Sequence, residues 1–251
     1  MFTLVGNDTS TMQSHPLLFF RVTHKGKASI AFRRILFIAV IGSGIFGFLL
    51  AGVAFLVGRS VNSYGYAGLG FLVLIFALFA RHFFRDPDAI VPAGRGLIVA
   101  PGHGRVDVID ETEELHFMGG RCRRVSIFLS VFDVHIQQAP VSGRVALVRH
   151  TAGQFLNALN LESAALNENV VMGFEPTEPA CGRVAIKLIT GLIARRIVPW
   201  AAVGDVVSKG DRVSLIQFGS RVDIYLPANA EVAVKLGDRV VGGETVVARL
   251  K

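Results

Sequence analysis

A mainly β catalytic domain, barrel- or sandwich-like with a lipoyl/hammerhead-like C-terminal unit, preceded by a two-helix transmembrane hairpin, is the fold class that this 251-residue sequence predicts. Three observations predict it. Two apolar runs without a charged side chain, residues 35–57 and 64–80, lie near the N-terminus. From residue 83 the texture changes to short β-branched stretches punctuated by glycine and proline, and near the C-terminus one Gly-Asp-containing segment is echoed by another.

Residues 1–30 are polar and mixed, which predicts a loosely ordered segment without readable chemistry. The hairpin, residues 31–82, carries most of the apolar excess: 51% of the chain is hydrophobic and its mean hydropathy is +0.51, high for a soluble protein. Each run approaches the ~20 residues that cross a bilayer as a helix. Only residues 58–63 separate them, so two spans make a tight hairpin with both flanks on one side; a re-entrant or interfacial hairpin is the alternative, because the second run is short. Lys25, Lys27, Arg33 and Arg34 precede the first run and Arg81, His82 and Arg85 follow the second, against Arg59 alone in the turn. The positive-inside bias therefore places the N-terminal segment and the β domain on the cytoplasmic face of the cell membrane. The first run begins too far into the chain, and is too long, for the core of a cleaved signal peptide.

A formal net charge of +7 and a pI near 9.9 fit either nucleic acid or an anionic membrane surface. Basic residues beside apolar runs favour lipid headgroups, and no nucleic-acid-binding motif is present. Residues 42–47 read Gly-Ser-Gly-Ile-Phe-Gly, but the pattern lies inside an apolar run rather than between a strand and a helix, so these glycines are expected to allow close helix packing instead of binding a dinucleotide. Cys122 and Cys181 stand apart from each other and from histidine clusters, which predicts reduced thiols and no metal site.

In the β domain, residues 83–251, strands are expected over 96–100, 104–109, 124–129, 143–149, 184–189, 213–217 and 222–226, with 191–198 undecided between helical turn and strand. Val203-Gly-Asp and Lys209-Gly-Asp-Arg-Val are echoed by Leu236-Gly-Asp-Arg-Val, each Gly-Asp marking a turn between short strands. The echo is compatible with a biotinyl- or lipoyl-like carrier, but a carrier needs a lysine at the tip between the half-motifs. The tip here reads Gly219-Ser220-Arg221, while Lys209 and Lys235 lie within the echoes.

The segment LIQFGSRVDIYLP at 215–227 resembles the processing site of phosphatidylserine decarboxylase proenzymes, in particular their short, archaeal-related form. The resemblance extends through FRDP at 84–87, VSIFLSVFDVHIQQAPVSG at 125–143, NEN at 167–169 and ARR at 194–196, and so covers nearly everything from residue 83 onward. It implies self-cleavage between Gly219 and Ser220 into chains 1–219 and 220–251 that stay together as a heterodimer, with self-association into larger assemblies left open. A Gly-Ser bond suits the required acyl shift, because glycine leaves its carbonyl unobstructed and tolerates a strained turn. The resemblance further implies that Ser220 becomes a covalent pyruvoyl cofactor. That group would take phosphatidylserine as a Schiff base, act as the electron sink for loss of carbon dioxide and lead to phosphatidylethanolamine, a step of phospholipid biosynthesis.

His135 matches the family's processing histidine, suited to taking the serine proton and later returning one to carbon. Asp133 lies two residues away; in a strand, its carboxylate would share a face with the imidazole and orient it. Arg195, Arg196 and Arg85 are candidates for headgroup or membrane phosphate, with a solvated or lipid-facing basic patch as the alternative for each. Where the family shows Pro-Ala-Asp-Gly, this sequence reads Pro101-Gly102-His103-Gly104, so the expected carboxylate is absent. Asp107, Asp133 or His103 itself is expected to fill its place. A processing-deficient membrane scaffold of the same family is the alternative function. All these motifs lie downstream of Phe83, so the hairpin is expected to be dispensable for cleavage and to serve as an anchor that concentrates a lipid substrate.

Overall fold

The computed structural model of the protein describes residues 24–57, 63–156, 166–178, 182–191, 196–217 and 220–250. The expected loose N-terminal segment up to residue 23, the tight turn at 58–62, Cys181, Arg195 and Gly219 lie outside the described residues. The two apolar runs fall within helices α1, Lys27–Leu56, and α2, Ser63–Phe83. Both are long and apolar enough to cross a membrane. Phe48 and Phe55 are 80% and 83% exposed, and apolar side chains all round a helix call for apolar surroundings. The helices pack where a Cβ on Gly47 would stand 3.7 Å from Leu69 and 3.8 Å from Tyr66, whereas Gly42 and Gly44 meet nothing within 4 Å. Only the last glycine of the Gly-x-Gly-x-x-Gly run thus serves helix contact.

After α2 the chain is a β domain, as its alternating patches of valine, isoleucine and turn residues require. Its strands are β1 Leu97–Val99, β2 Gly104–Glu114, β3 Gly120–Leu129, β4 Ile136–Gln138, β5 Gly143–Thr151, β6 Asn169–Pro176, β7 Val184–Thr190, β8 Arg196–Pro199, β9 Val206–Val207, β10 Arg212–Gln217, β11 Ser220–Leu226, β12 Glu231–Val232, β13 Arg239–Val240 and β14 Val246–Arg249. Eight of them form one curled antiparallel sheet in the order β13-β2-β3-β11-β7-β6-β5-β9; two three-stranded sheets, β1-β14-β12 and β4-β10-β8, complete the domain. One face of the large sheet is the main core, where Val125, Ile127 and Leu129 of β3, Val222, Ile224 and Leu226 of β11, and Ile186 and Leu188 of β7 are buried together.

The seven expected strands coincide with β1, β2, β3, β5, β7, β10 and β11, and part of the undecided 191–198 segment is β8. Strand β6 escaped the sequence reading because both its faces are covered. The β2–β3 hairpin tip folds back so that a Cβ on Gly173 would stand 2.5 Å from the Phe117 ring, and alternation of polar and apolar residues is lost. The tip is held by Glu114, whose carboxylate accepts from the backbone N–H groups of His116, Phe117 and Met118.

The Gly-Asp echoes are turns of one design. Gly204, Gly210 and Gly237 have φ of 97°, 83° and 89°, where glycine avoids a Cβ penalty. Asp205, Asp211 and Asp238 each accept a backbone N–H from three residues upstream, at Ala202, Ser208 and Lys235.

The base of the hairpin is built into the domain. Phe83, Phe84 and Ala80 of the α2 end, Ala28 of α1, Val134, Ile136 of β4 and Leu215 of β10 form a second buried cluster, with Phe32, Ile35, Phe76, Phe79 and Trp200 packed around it. An anchor separable from the chemistry was expected; the apolar residues around His135 instead take their packing partners from the helices.

Candidate active site

Ser220 opens β11, the fourth strand of the large sheet, with Leu129 of β3 and Thr190 of β7 as its neighbours. Strand alternation puts it on the same face as Val222, Ile224 and Leu226, towards the core. Its side chain is fully buried, and among the described residues its hydroxyl has no hydrogen-bond partner. A buried, unsatisfied hydroxyl is costly and calls for a functional explanation.

His135 is fixed close by in the topology. Leu129, the partner of Ser220, runs into the turn that carries His135, and Ile216, just before the Gly219–Ser220 bond, donates its N–H to the His135 carbonyl at 3.1 Å. The same carbonyl accepts from Gln137 Nε2 at 2.7 Å, and Gln137 Oε1 accepts from Ser214 Oγ at 2.7 Å. Sequence reasoning missed this Gln137–Ser214 lock; the signal available was a glutamine and a serine in strands whose neighbours are apolar.

The imidazole is fully buried, and its ring centroid lies 4.2 Å from that of Phe83. Nδ1 faces the Asp133 backbone carbonyl at 2.9 Å, which requires a proton on Nδ1 and leaves Nε2 as the basic nitrogen. Burial pulls the His135 pKa down to about 4; the Asp133 contact opposes this, while Arg85 and His103 reinforce it. The ring is therefore a neutral base at physiological pH.

Asp133 does something other than expected. Residues around it form a turn rather than a strand, so the shared-face geometry does not arise. Its carboxylate accepts from the Ser130 N–H at 2.9 Å and from Arg239 at 2.6 Å; the imidazole is oriented by the main-chain carbonyl instead. Asp107 is likewise engaged, receiving both terminal nitrogens of the buried Arg221 at 2.5 and 3.2 Å; burial pushes its pKa up and Arg221 opposes that.

His103 does reach the histidine corner. Burial and the charge of Arg85 pull its pKa down to about 4, against the opposing pull of Asp133 and Glu244. Its charge is in turn among the causes of the lowered pKa of His135. Among the described residues its Nε2 is buried without a hydrogen-bond partner. Arg196 is exposed at the start of β8, where it pairs with Gln217.

A sequence model of the family described as phosphatidylserine decarboxylase matches residues 76–248. The chain belongs to the phosphatidylserine decarboxylase family. It is 47% identical over 182 residues to a phosphatidylserine decarboxylase proenzyme of Symbiobacterium thermophilum, covering 72% of this chain and 84% of that one. A proenzyme of the same name from Anaplasma phagocytophilum is 43% identical over 73% of this chain and 80% of its own. One from Trichlorobacter lovleyi is 38% identical over 91% and 96%, a match long enough to take in part of the helical hairpin. Members of the phosphatidylserine decarboxylase family are enzymes that decarboxylate phosphatidylserine, and the word proenzyme fits a chain that matures by cutting itself.

Proposed function

We propose that this chain is a membrane-anchored proenzyme that cleaves itself between Gly219 and Ser220 and then converts phosphatidylserine to phosphatidylethanolamine. The observation that carries the proposal is the buried, unpartnered Ser220 hydroxyl at the start of β11, together with the preceding strand β10, whose Ile216 N–H is bonded to the carbonyl of the neutral His135. His135 Nε2 accepts the Ser220 Oγ proton as that oxygen attacks the Gly219 carbonyl, and the peptide bond becomes an ester. Loss of the residue 220 Cα proton and of the Gly219 carboxylate leaves a dehydroalanine, which takes up water and releases ammonia to give a pyruvoyl terminus. The residues present fit such a group, since position 220 lies inside the core and the chain just before it is bonded to His135, an imidazole that is neutral without needing a counter-ion.

Once formed, the pyruvoyl group supplies an electron sink for the bond that releases carbon dioxide. The chain's own residues supply the rest. Burial around Leu129, Val222 and Phe83 keeps bulk water away, and His135 returns a proton to the substrate carbon. His103 sits where it tunes the field at His135. Chains 1–219 and 220–251 hold together through β11, inserted between β3 and β7, through β13 on β2 and β14 on β1, and through the Asp133–Arg239 ion pair.

The helices α1 and α2 span the membrane, with the basic flanks and the β domain on the cytoplasmic side. A denaturing gel of the purified protein and of Ser220→Ala tests the proposal: the former runs as two chains and the latter as one. Cleavage of the alanine variant at the same bond contradicts the serine mechanism, and an uncut wild type favours the scaffold reading.

A further inference from the structure

The phosphate of phosphatidylserine sits only a few bonds from the carbon that loses carbon dioxide, so whatever holds it must border the His135 corner. Resting on the decarboxylase reading above, we propose that the cavity at the foot of the helical hairpin is the subsite for the substrate's phosphodiester, with Arg81 and Arg85 as its ligands.

This cavity, of about 570 Å³, is lined by Ser29 and Phe32 of α1, Leu78, Arg81 and His82 of α2, and the segment Phe84, Arg85 and Asp86 that follows. Its floor is therefore the same stretch of chain whose Phe83 covers His135. Phe32, Leu78 and Phe84 give it an apolar side towards the exposed apolar faces of the hairpin, where glycerol and acyl chains belong.

Charge bookkeeping around the cavity leaves it positive. Asp86, the acidic group in the lining, is matched by Arg212, which also pairs with Asp88. Among the described residues no carboxylate pairs with Arg81 or Arg85. Arg85 is half-buried, and its guanidinium is held by backbone carbonyls alone, Nη1 on His82 at 2.9 Å and Nη2 on Phe132 at 2.8 Å. The Phe132 carbonyl faces His82 Nε2 as well, at 3.2 Å. A guanidinium carries five N–H donors in a rigid fork, and the two carbonyls aim this one while leaving its charge unneutralised.

Its position is set against the chemistry, since its charge helps to lower the pKa of both His135 and His103. Arg239, a further cation at this corner, is occupied by Asp133. A phosphodiester supplies the missing negative charge, and in doing so relieves the electrostatic pressure of Arg85 on His135 when substrate is bound.

Processed wild type, Arg81→Gln and Arg85→Gln are assayed on phosphatidylserine dispersed either in phosphatidylcholine or in a phosphate-free detergent. In parallel, the uncut Ser220→Ala chain with and without each arginine substitution is titrated with short-chain phosphatidic acid and short-chain diacylglycerol. The expected result is a KM raised about tenfold in both dispersions by Arg81→Gln, with kcat within about twofold. Phosphatidic acid binding should weaken by a similar factor while diacylglycerol is unaffected. An unchanged KM and unchanged phosphatidic acid binding overturn the subsite. A KM effect in phosphatidylcholine that vanishes in detergent assigns the cavity to a bystander lipid and also overturns it. Wild type without any turnover contradicts the decarboxylase reading instead, and the phosphatidic acid titration then judges the subsite alone.

Discussion

Self-cleavage should continue at nearly full rate at a pH where an ordinary histidine base has stopped working. With the pKa of His135 near 4, about 97% of the imidazole is neutral at pH 5.5, whereas an unperturbed histidine at 6.5 would be only about 9% neutral. The cleavage rate at pH 5.5 should thus stay within about 10% of that at pH 7.5, rather than fall roughly tenfold, and the acid limb should appear between pH 5 and 4. The same shift has a stability consequence of definite sign. Between pH 6.5 and 4 the unfolded chain binds protons that folded His135 and His103 refuse, so stability is lost as pH falls through this window, by up to about 3 kcal/mol for each ring. The assay is a pulse of cell-free synthesis into lipid nanodiscs followed by a pH jump, with the fraction of full-length chain followed on gels and folding monitored by Trp200 fluorescence. A tenfold slowing by pH 5.5 in a chain that is still folded would refute the assignment of a buried, neutral His135 as the base.

Further expectations concern the same corner. Phe83→Leu should raise the acid limb by about one pH unit, because a smaller cover admits water to His135; the pH profile checks it. Asp133→Asn should slow cleavage by less than about tenfold, since the acceptor for His135 Nδ1 is a main-chain carbonyl, and a complete stall would show that the carboxylate itself acts. His103→Asp should also move the acid limb of cleavage upward, by about one unit, as a carboxylate beside Arg85 favours the protonated form of His135. Arg221→Ala should cost roughly 3 kcal/mol in denaturant unfolding, because it strands Asp107 and empties a buried site in β11. Deleting residues 31–82 should slow cleavage at least about tenfold, measured against full-length chain in nanodiscs, because Phe83, Ile136 and Leu215 lose the packing of Phe32, Ile35, Phe76 and Phe79.

What was legible in the sequence follows from how each signal is encoded. Charge-free runs and strands with one solvated face write themselves in composition and period, so the hairpin and seven strands could be read directly. Strand β6, covered on both faces by the core and by Phe117, had no period to show. Ser220 and His135 were found through long ordered motifs, which residue chemistry then made sensible. The geometry expected of Asp133 does not arise, because residue spacing gives a shared face only in a strand. Here the turn turns its carboxylate towards Arg239, more than a hundred residues away in sequence. Arg85 could be read as a candidate phosphate contact, but its place at the histidine corner and the cover that Phe83 gives His135 could not: both lie in contacts with residues 132 and 135, and no local pattern announces a long-range contact.

The most direct test of the central claim is the intact mass of the purified protein. The account predicts two species, residues 1–219 and residues 220–251, the shorter lighter by one ammonia than the corresponding serine-initiated peptide and reactive towards hydroxylamine. A single full-length mass, or a short chain that begins with an unmodified serine amine, would contradict it.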